Sequence, residues 1–185
     1  MKWLIASDIH GGAACCRKLL ERFEEEKADR LLLLGDILYH GPRNALPEDY
    51  QTQSVYEQLN AYAEKILCVR GNCDAEIDLM VLDFPMAEDY IPLHDSGLWI
   101  VASHGHRYDE YHLPALPQID AVLLGHTHVP VCRNMGRFWL MNPGSVTLPK
   151  DGSEKGYMTL ENGLFSWKTL DGKTWRTHEI KPHQA

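Results

Sequence analysis

The 185-residue sequence predicts an α/β fold in which two β-sheets pack face to face with helices outside. Three observations carry that expectation. The first half alternates apolar runs with helical patterns. The second half is a series of short β-rich runs. The C-terminal part carries two strong hairpin turns, Asn162-Gly163 and Asp171-Gly172.

The elements follow in order. Lys2–Ala6 reads as a strand, and Cys15 to about Lys27 as an amphipathic helix. Leu19, Leu20 and Phe23 share the apolar face of that helix, with Glu21, Glu24, Glu25 and Glu26 outside. Arg30–Leu34 reads as a buried strand. Tyr50–Lys65 reads as a second helix, with Val55, Leu59, Tyr62 and Ala63 at helical spacing, and Ile66–Val69 as a third strand. Strand and helix alternating in this way predict right-handed crossovers and a parallel sheet. Beyond these, Tyr90–Leu93, Leu98–Ser103, Ala121–Leu124 and Phe138–Met141 are β-rich runs. The segments YMTLE, LFSWKTL and KTWRTHEI then alternate apolar and polar residues. The expectation is one mixed, parallel-cored sheet and one largely antiparallel sheet. Trp167 and Trp175 on the hairpin tail read as packing aromatics.

Bulk properties narrow the function. The length suits one domain over residues 1–185, and 44% hydrophobic with 24% charged residues is ordinary for a globular protein. No apolar run approaches a membrane span, and MKWLIASDIH is too short in its apolar part for a signal peptide. Five cysteines, an odd number that includes adjacent Cys15 and Cys16, read as reduced thiols in the cytoplasm. A formal charge of −8, with no basic stripe, argues against a nucleic-acid partner. A homo-oligomer is left open.

Five short words carry the chemistry: DIH, GD, GNCD, SHGH and GHTH, each at or just after an apolar run. They supply Asp8, His10, Asp36, Asn72, His104, His126 and His128, all oxygen and nitrogen donors. On a strand, side chains two apart point the same way, so Asp8 should converge with His10, and His126 with His128. One carboxylate at Asp36 could give an oxygen to each of two cations, and the Asn72 carbonyl could ligate without adding charge. Taken singly, each word is a turn or a satisfied polar pair. Their conjunction points to a two-metal site.

The pattern resembles the calcineurin-like metallophosphoesterase superfamily, all of whose five motif blocks are present. GNCD and the later Asn142-Pro143-Gly144-Ser145 resemble its small single-domain phosphodiesterase branch. The resemblance implies a four-layer αββα sandwich of two mixed β-sheets flanked by helices, with the site in a crevice at the strand ends. It further implies that Asp8, His10, Asp36 and His128 hold one metal, and that Asp36, Asn72, His104 and His126 hold the other. Donors without thiolate suit Mn, Fe, Co, Ni or Zn, and the resemblance favours two Mn²⁺ ions. Such ions, about 3.5–4 Å apart, would clamp a small phosphodiester and generate a bridging hydroxide for in-line attack.

Cys73 stands where the larger superfamily commonly has a histidine that protonates the leaving group or binds phosphate. Asp74, the acid that orients that histidine, is retained. A thiol is a poorer general acid, so activated or aryl diesters should be favoured over alkyl monoesters. His106 is expected to orient a neighbour or the substrate. His40, Arg43 and Arg107 are candidate phosphate contacts, set against a reading as solvated loop residues. The long loop Tyr39–Glu48 follows Asp36 and should border the site. The competing readings are an interaction scaffold on the same fold, like the retromer small-subunit relatives, or a phosphomonoesterase or nuclease of the same superfamily. The intact donor set favours the enzyme, and a nuclease would want a basic groove.

Overall fold

The computed structural model describes residues 1–86 and 88–182. Two β-sheets form its centre. The strands are β1 (Lys2–Ala6), β2 (Arg30–Leu33), β3 (Ile66–Cys68), β4 (Tyr90–Asp95), β5 (Leu98–Ser103), β6 (Ala121–Leu123), β7 (Val131–Asn134), β8 (Trp139–Asn142), β9 (Gly156–Glu161), β10 (Leu164–Thr169) and β11 (Thr174–Glu179). The first sheet has the order β11-β10-β9-β1-β2-β3, and the second β4-β5-β6-β8-β7.

Both sheets are mixed. In the first, β1, β2 and β3 are parallel, and β9 joins β1 antiparallel, with β10 and β11 following as hairpin strands. In the second, β5, β6 and β8 are parallel, and β4 and β7 close the edges antiparallel. This corrects the expectation of a separate, largely antiparallel sheet. The hairpin tail extends the first sheet, because Lys2–Ile5 pairs directly with Met158–Glu161. Asn162 (φ 51°) and Gly163 (φ 81°) form the two-residue turn that their identity demands.

Period-two alternation builds the core. Trp3, Ile5, Leu32, Ile100, Leu123, Met158, Phe165 and Trp167 point between the sheets, while Leu4, Leu31, Leu33 and Tyr157 face the helices. Central parallel strands are buried on both faces, which explains their unbroken apolar runs. Trp167 is fully buried, whereas Trp175 is 48% exposed on the edge strand β11 and is not a core residue.

Helix α1 (Ala13–Glu25) lays Leu19, Leu20 and Phe23 on the first sheet, as the spacing predicts. The second helix, α2 (Thr52–Asn60), is shorter than its pattern. Tyr50 is drawn into a bridge with Gly12 at one end. At the other, Tyr62 leaves helical geometry and packs edge-on against Phe23, 5.7 Å between centroids. Among the described residues, no α-helix packs on the outer face of the second sheet. The coil 104–120 covers it, with Leu113, Leu116 and Ile119 packed on Val101, Val122 and Leu140. The fourth layer is therefore built from loop in this chain. Strand β7 escaped the sequence pattern because it is four half-exposed edge residues. Among the described residues, no helix is long and apolar enough to cross a membrane. All five cysteines are unpaired.

Glu26, at the end of α1, ties three elements together. It accepts hydrogen bonds from Lys2 Nζ (2.8 Å), Tyr157 Oη (3.1 Å) and Lys168 Nζ. Burial pushes its carboxyl up, but the bonds from Lys168 and Lys2 prevail and hold it below the ordinary value of 4.5. A depressed carboxyl stabilises the fold above the unfolded-state pKa and loses that contribution as pH falls through the folded one. Glu26→Gln should therefore cost about 1–2 kcal/mol at pH 7. The difference from wild type should vanish in acid. Denaturant melts at pH 7 and below pH 4 check this, and a pH-independent difference would refute it.

Candidate metal centre

Every candidate ligand lies just beyond the C-terminal end of a parallel strand. Asp8 and His10 follow β1, Asp36 follows β2, and Asn72 follows β3. His104 follows β5, and His126 and His128 follow β6. The two parallel cores thus open onto one crevice, where ligands of open α/β sheets bind.

The convergence does not come from strand pleating. Asp8 (φ 58°), His10 (φ 49°), Asp36 (φ 56°), His126 (φ 64°) and His128 (φ 61°) all sit in the left-handed region. Among the described residues, the other non-glycine positions there are Lys27, Ser96, Asp151 and Asn162. Such backbone costs on the order of 1 kcal/mol or more per residue and persists where its surroundings hold it. Here backbone bonds do so: Asp8 N–H to Gly35 O (3.1 Å), His10 N–H to Asp36 O (2.9 Å) and Lys150 N–H to His128 O (3.2 Å). The NPGS word is a further brace. Ser145 Oγ donates to Asp8 O at 2.8 Å, and Asn142 Nδ2 donates to Gly125 O at 2.7 Å.

Glycines set how closely the words approach. A Cβ on Gly35 would stand 2.5 Å from Gly71 N, and a Cβ on Gly71 would stand 2.1 Å from Asp36 Oδ1. The GD and GNCD words therefore touch backbone to backbone.

Three histidines have their tautomer fixed. Nδ1 of His10, His104 and His128 faces the carbonyl oxygens of Tyr39 (2.7 Å), Leu34 (2.6 Å) and Leu148 (2.6 Å). A carbonyl only accepts, so each Nδ1 donates and each neutral ring turns a bare Nε2 lone pair inward. His10 Nε2 meets His128 Nε2 at 3.2 Å, and Asp8 Oδ1 lies 3.5 and 3.3 Å from them. His104 Nε2 meets Asn72 Oδ1 at 3.0 Å and Asp36 Oδ2 at 3.4 Å. Asp36 Oδ2 is also 3.6 Å from His10 Nε2, between the two groups. Asp8 Oδ1 is buried without a hydrogen-bond partner. Nε2 atoms, carboxylate oxygens and an amide oxygen crowded this closely call for protons or metal cations between them.

The electrostatics agree. Burial pushes Asp8 up, yet His10 and His128 hold it far below the carboxylate range. Burial likewise pushes His104 down, and Asp36 and Asp8 raise it to about 9 despite that. Two ionised, buried carboxylates thus draw positive charge into a centre of imidazole, carboxylate and amide donors. That set fits a pair of hard or borderline divalent ions.

The remaining candidates separate. His126 lines the cleft beside His104, ring centroids 5.1 Å apart, and its N–H donates to Asp8 Oδ2 at 3.1 Å. Cys73 lines it too, and its N–H donates to Asp36 Oδ1 at 2.8 Å. Burial, and then the Asp36 charge, push its thiol up to about 12, so it stays protonated at neutral pH. Asp74 does not orient a group at position 73. It is buried and accepts from the backbone N–H of Asp36, Ile37 and Gly71 at 2.7–2.8 Å. It locks the GD word to the GNCD word, although burial lifts its carboxyl to about 6. His106 packs behind His104 and His126, at 5.4 and 6.4 Å between ring centroids, and burial brings it down to about 4.

Of the three candidate phosphate contacts, Arg43 lines the cleft. His40 is instead packed edge-on to Tyr39 and Tyr50 (4.8 and 5.3 Å). Arg107 is paired with Asp89 at 2.9 Å. The cleft measures about 300 Å³, and Thr127 and Lys150 also line it. Sequence reasoning missed Lys150. Its signal was its place just past NPGS, on the segment whose Leu148 carbonyl orients His128.

Comparisons with known proteins show the family and the fold. The model of the Calcineurin-like phosphoesterase superfamily domain covers residues 1–163. Phosphodiesterase YfcE of Escherichia coli K12 is 44% identical over 174 residues, 94% of this chain and 95% of its own. The solved structure of YfcE, described as a phosphoesterase, superposes with a TM-score of 0.93 at 42% identity, covering 98% of this chain and 100% of that one. A zinc complex of Vps29 from Entamoeba histolytica shares the fold at a TM-score of 0.66 and 22% identity, over 97% of this chain and 98% of that one.

Proposed function

Because the chain belongs to the calcineurin-like phosphoesterase superfamily, we propose that this phosphoric ester hydrolase cleaves small phosphodiesters with two divalent metal ions, Mn²⁺ foremost. The observation that carries the reading is the set of carbonyl-pinned imidazoles, whose Nε2 atoms face each other and the carboxylates of Asp8 and Asp36. Asp8, His10, Asp36 and His128 would hold one ion, and Asp36, Asn72, His104 and His126 the other. When bound, the ions supply Lewis acidity and an activated hydroxide for in-line attack at phosphorus.

The protein's own residues position and insulate. Asp36 offers Oδ2 to both half-sites while Cys73 N–H fixes its other oxygen. Arg43 and Lys150 present positive charge to the substrate in the cleft. The Cys73 thiol is a poorer general acid than the histidine common at this position in the superfamily, so leaving groups that depart as stable anions are favoured.

The test strips the protein of metal, restores Mn²⁺, Mg²⁺, Zn²⁺ or Ni²⁺, and assays bis-p-nitrophenyl phosphate against p-nitrophenyl phosphate. Mn²⁺ should restore turnover and favour the diester. At a hundredfold excess over its dissociation constant it should also stabilise the fold by about 2.7 kcal/mol. Silence with every ion would favour the scaffold reading. Preference for the monoester would sink the argument from Cys73.

A further inference from the structure

Arg43 and Lys150 both line the cleft beside the carboxylate and imidazole donors. Neither side chain makes an ion pair or hydrogen bond among the described residues. Arg107, outside the cleft, has its charge answered by Asp89. Both are exposed residues at the same small cleft, in a chain of net charge −8.

Both stand on backbone that is held in place. Asn44 Nδ2 donates to His40 O at 2.8 Å and closes the turn that carries Arg43. Lys150 N–H donates to His128 O at 3.2 Å, and Lys150 O accepts from Ser153 N–H (3.0 Å) and Oγ (2.6 Å). Lys150 is therefore indexed to one of the expected metal ligands.

Charge counting gives the pair a meaning. Two divalent ions against Asp8 and Asp36 leave a centre of roughly +2. A monoanionic diester and the attacking hydroxide cancel it. Arg43 and Lys150 then add two charges that a simple diester does not need. A guanidinium fork and an ammonium together suit a phosphate or carboxylate. A cleft of about 300 Å³ restricts that group to the same small molecule.

We propose that Arg43 and Lys150 form a second anion subsite, so that the substrates are small phosphodiesters bearing a further phosphate or carboxylate. This rests on the phosphodiesterase reading above.

The test compares thymidine 5′-(p-nitrophenyl phosphate) with the same compound carrying a 3′-phosphate, on the Mn²⁺-loaded protein. Leaving group, sugar and base are identical. The 3′-phosphorylated diester should be preferred about tenfold or more in kcat/KM. The ratio should fall toward one in the Arg43→Ala, Lys150→Ala double variant and survive in Lys150→Arg. Calorimetry supplies a readout free of turnover. Thymidine 3′,5′-bisphosphate should bind about tenfold more tightly than thymidine 5′-phosphate, again only with both cations present. Equal hydrolysis and equal binding of the paired compounds would overturn the subsite and leave the phosphodiesterase reading intact. Failure to hydrolyse either compound or bis-p-nitrophenyl phosphate would overturn that reading, with the calorimetric ratio still deciding the subsite.

Discussion

Asp36→Asn is expected to lower kcat on bis-p-nitrophenyl phosphate by about 10³-fold or more. It is also expected to reduce metal content from two equivalents to one or fewer. Asp36 Oδ2 lies 3.6 Å from His10 Nε2 and 3.4 Å from His104 Nε2, so one atom stands between the two groups of candidate ligands. An amide in its place keeps the shape but brings either an uncharged oxygen or an NH₂ to that point. The first is a weak bridge and the second repels a cation. A 10³-fold loss corresponds to about 4 kcal/mol of transition-state stabilisation. That is within reach of one charge removed from a buried centre.

The fold should survive the change. Asp36 Oδ1 accepts from Cys73 N–H at 2.8 Å, and an Asn oxygen can keep that bond. The melting temperature without added metal should therefore move by no more than a few degrees. Retention of a tenth of wild-type turnover, or of both metal equivalents, would show that Asp36 does not join the half-sites.

The strand-end placement of the seven candidate donors was legible because it is local. An apolar run ending in Asp, Asn or His places that residue at a strand end whatever the topology, and seven such placements pointed to one crevice. The mechanism of convergence was not legible in the same way. Side-chain alternation brings Asp8 to His10 on paper. In the fold both residues have left β1 and stand at φ 58° and 49°. That backbone depends on Gly35, Asp36 and Ser145, which are remote in sequence.

The carbonyls of Leu34, Tyr39 and Leu148 that fix the imidazoles carry no residue type to read at all. Lys150 was invisible for a related reason, since its relation to the site runs through a backbone bond to His128. Asp74 reads in the sequence as a retained acid whose usual histidine partner is absent, and in the fold its carboxylate holds three backbone N–H groups. The hairpin tail was recognised by its turns. Which sheet it joins was set by long-range pairing of β9 with β1, which local periodicity does not encode.

Gly71→Ala is expected to damage the fold and the site together. Gly71 does not adopt positive φ, so its backbone conformation is open to alanine. Shortage of space is what excludes the methyl. An added Cβ would stand 2.1 Å from Asp36 Oδ1 and 2.4 Å from Asp36 N, and neither is the loose end of a flexible side chain. Relief requires moving the segment after β3 away from the segment after β2. That movement pulls on the Gly71 N–H bond to Asp74 Oδ2, which is 2.7 Å long. Against this, alanine lowers the entropy of the unfolded chain by an amount worth about 0.4–1 kcal/mol. Overpacking of a close-packed contact commonly costs about 1–3 kcal/mol and should win here. A net loss of about 2 kcal/mol shifts the melting temperature of a chain this size down by roughly 4–8 °C. The same displacement separates Asn72 from Asp36, and a misplacement of about 1 Å can cost 10²-fold in rate. Thermal melts and kcat on the diester should therefore fall together. An alanine variant with wild-type melting temperature and turnover would mean that the GD and GNCD words do not touch, and the site as described would have to be redrawn.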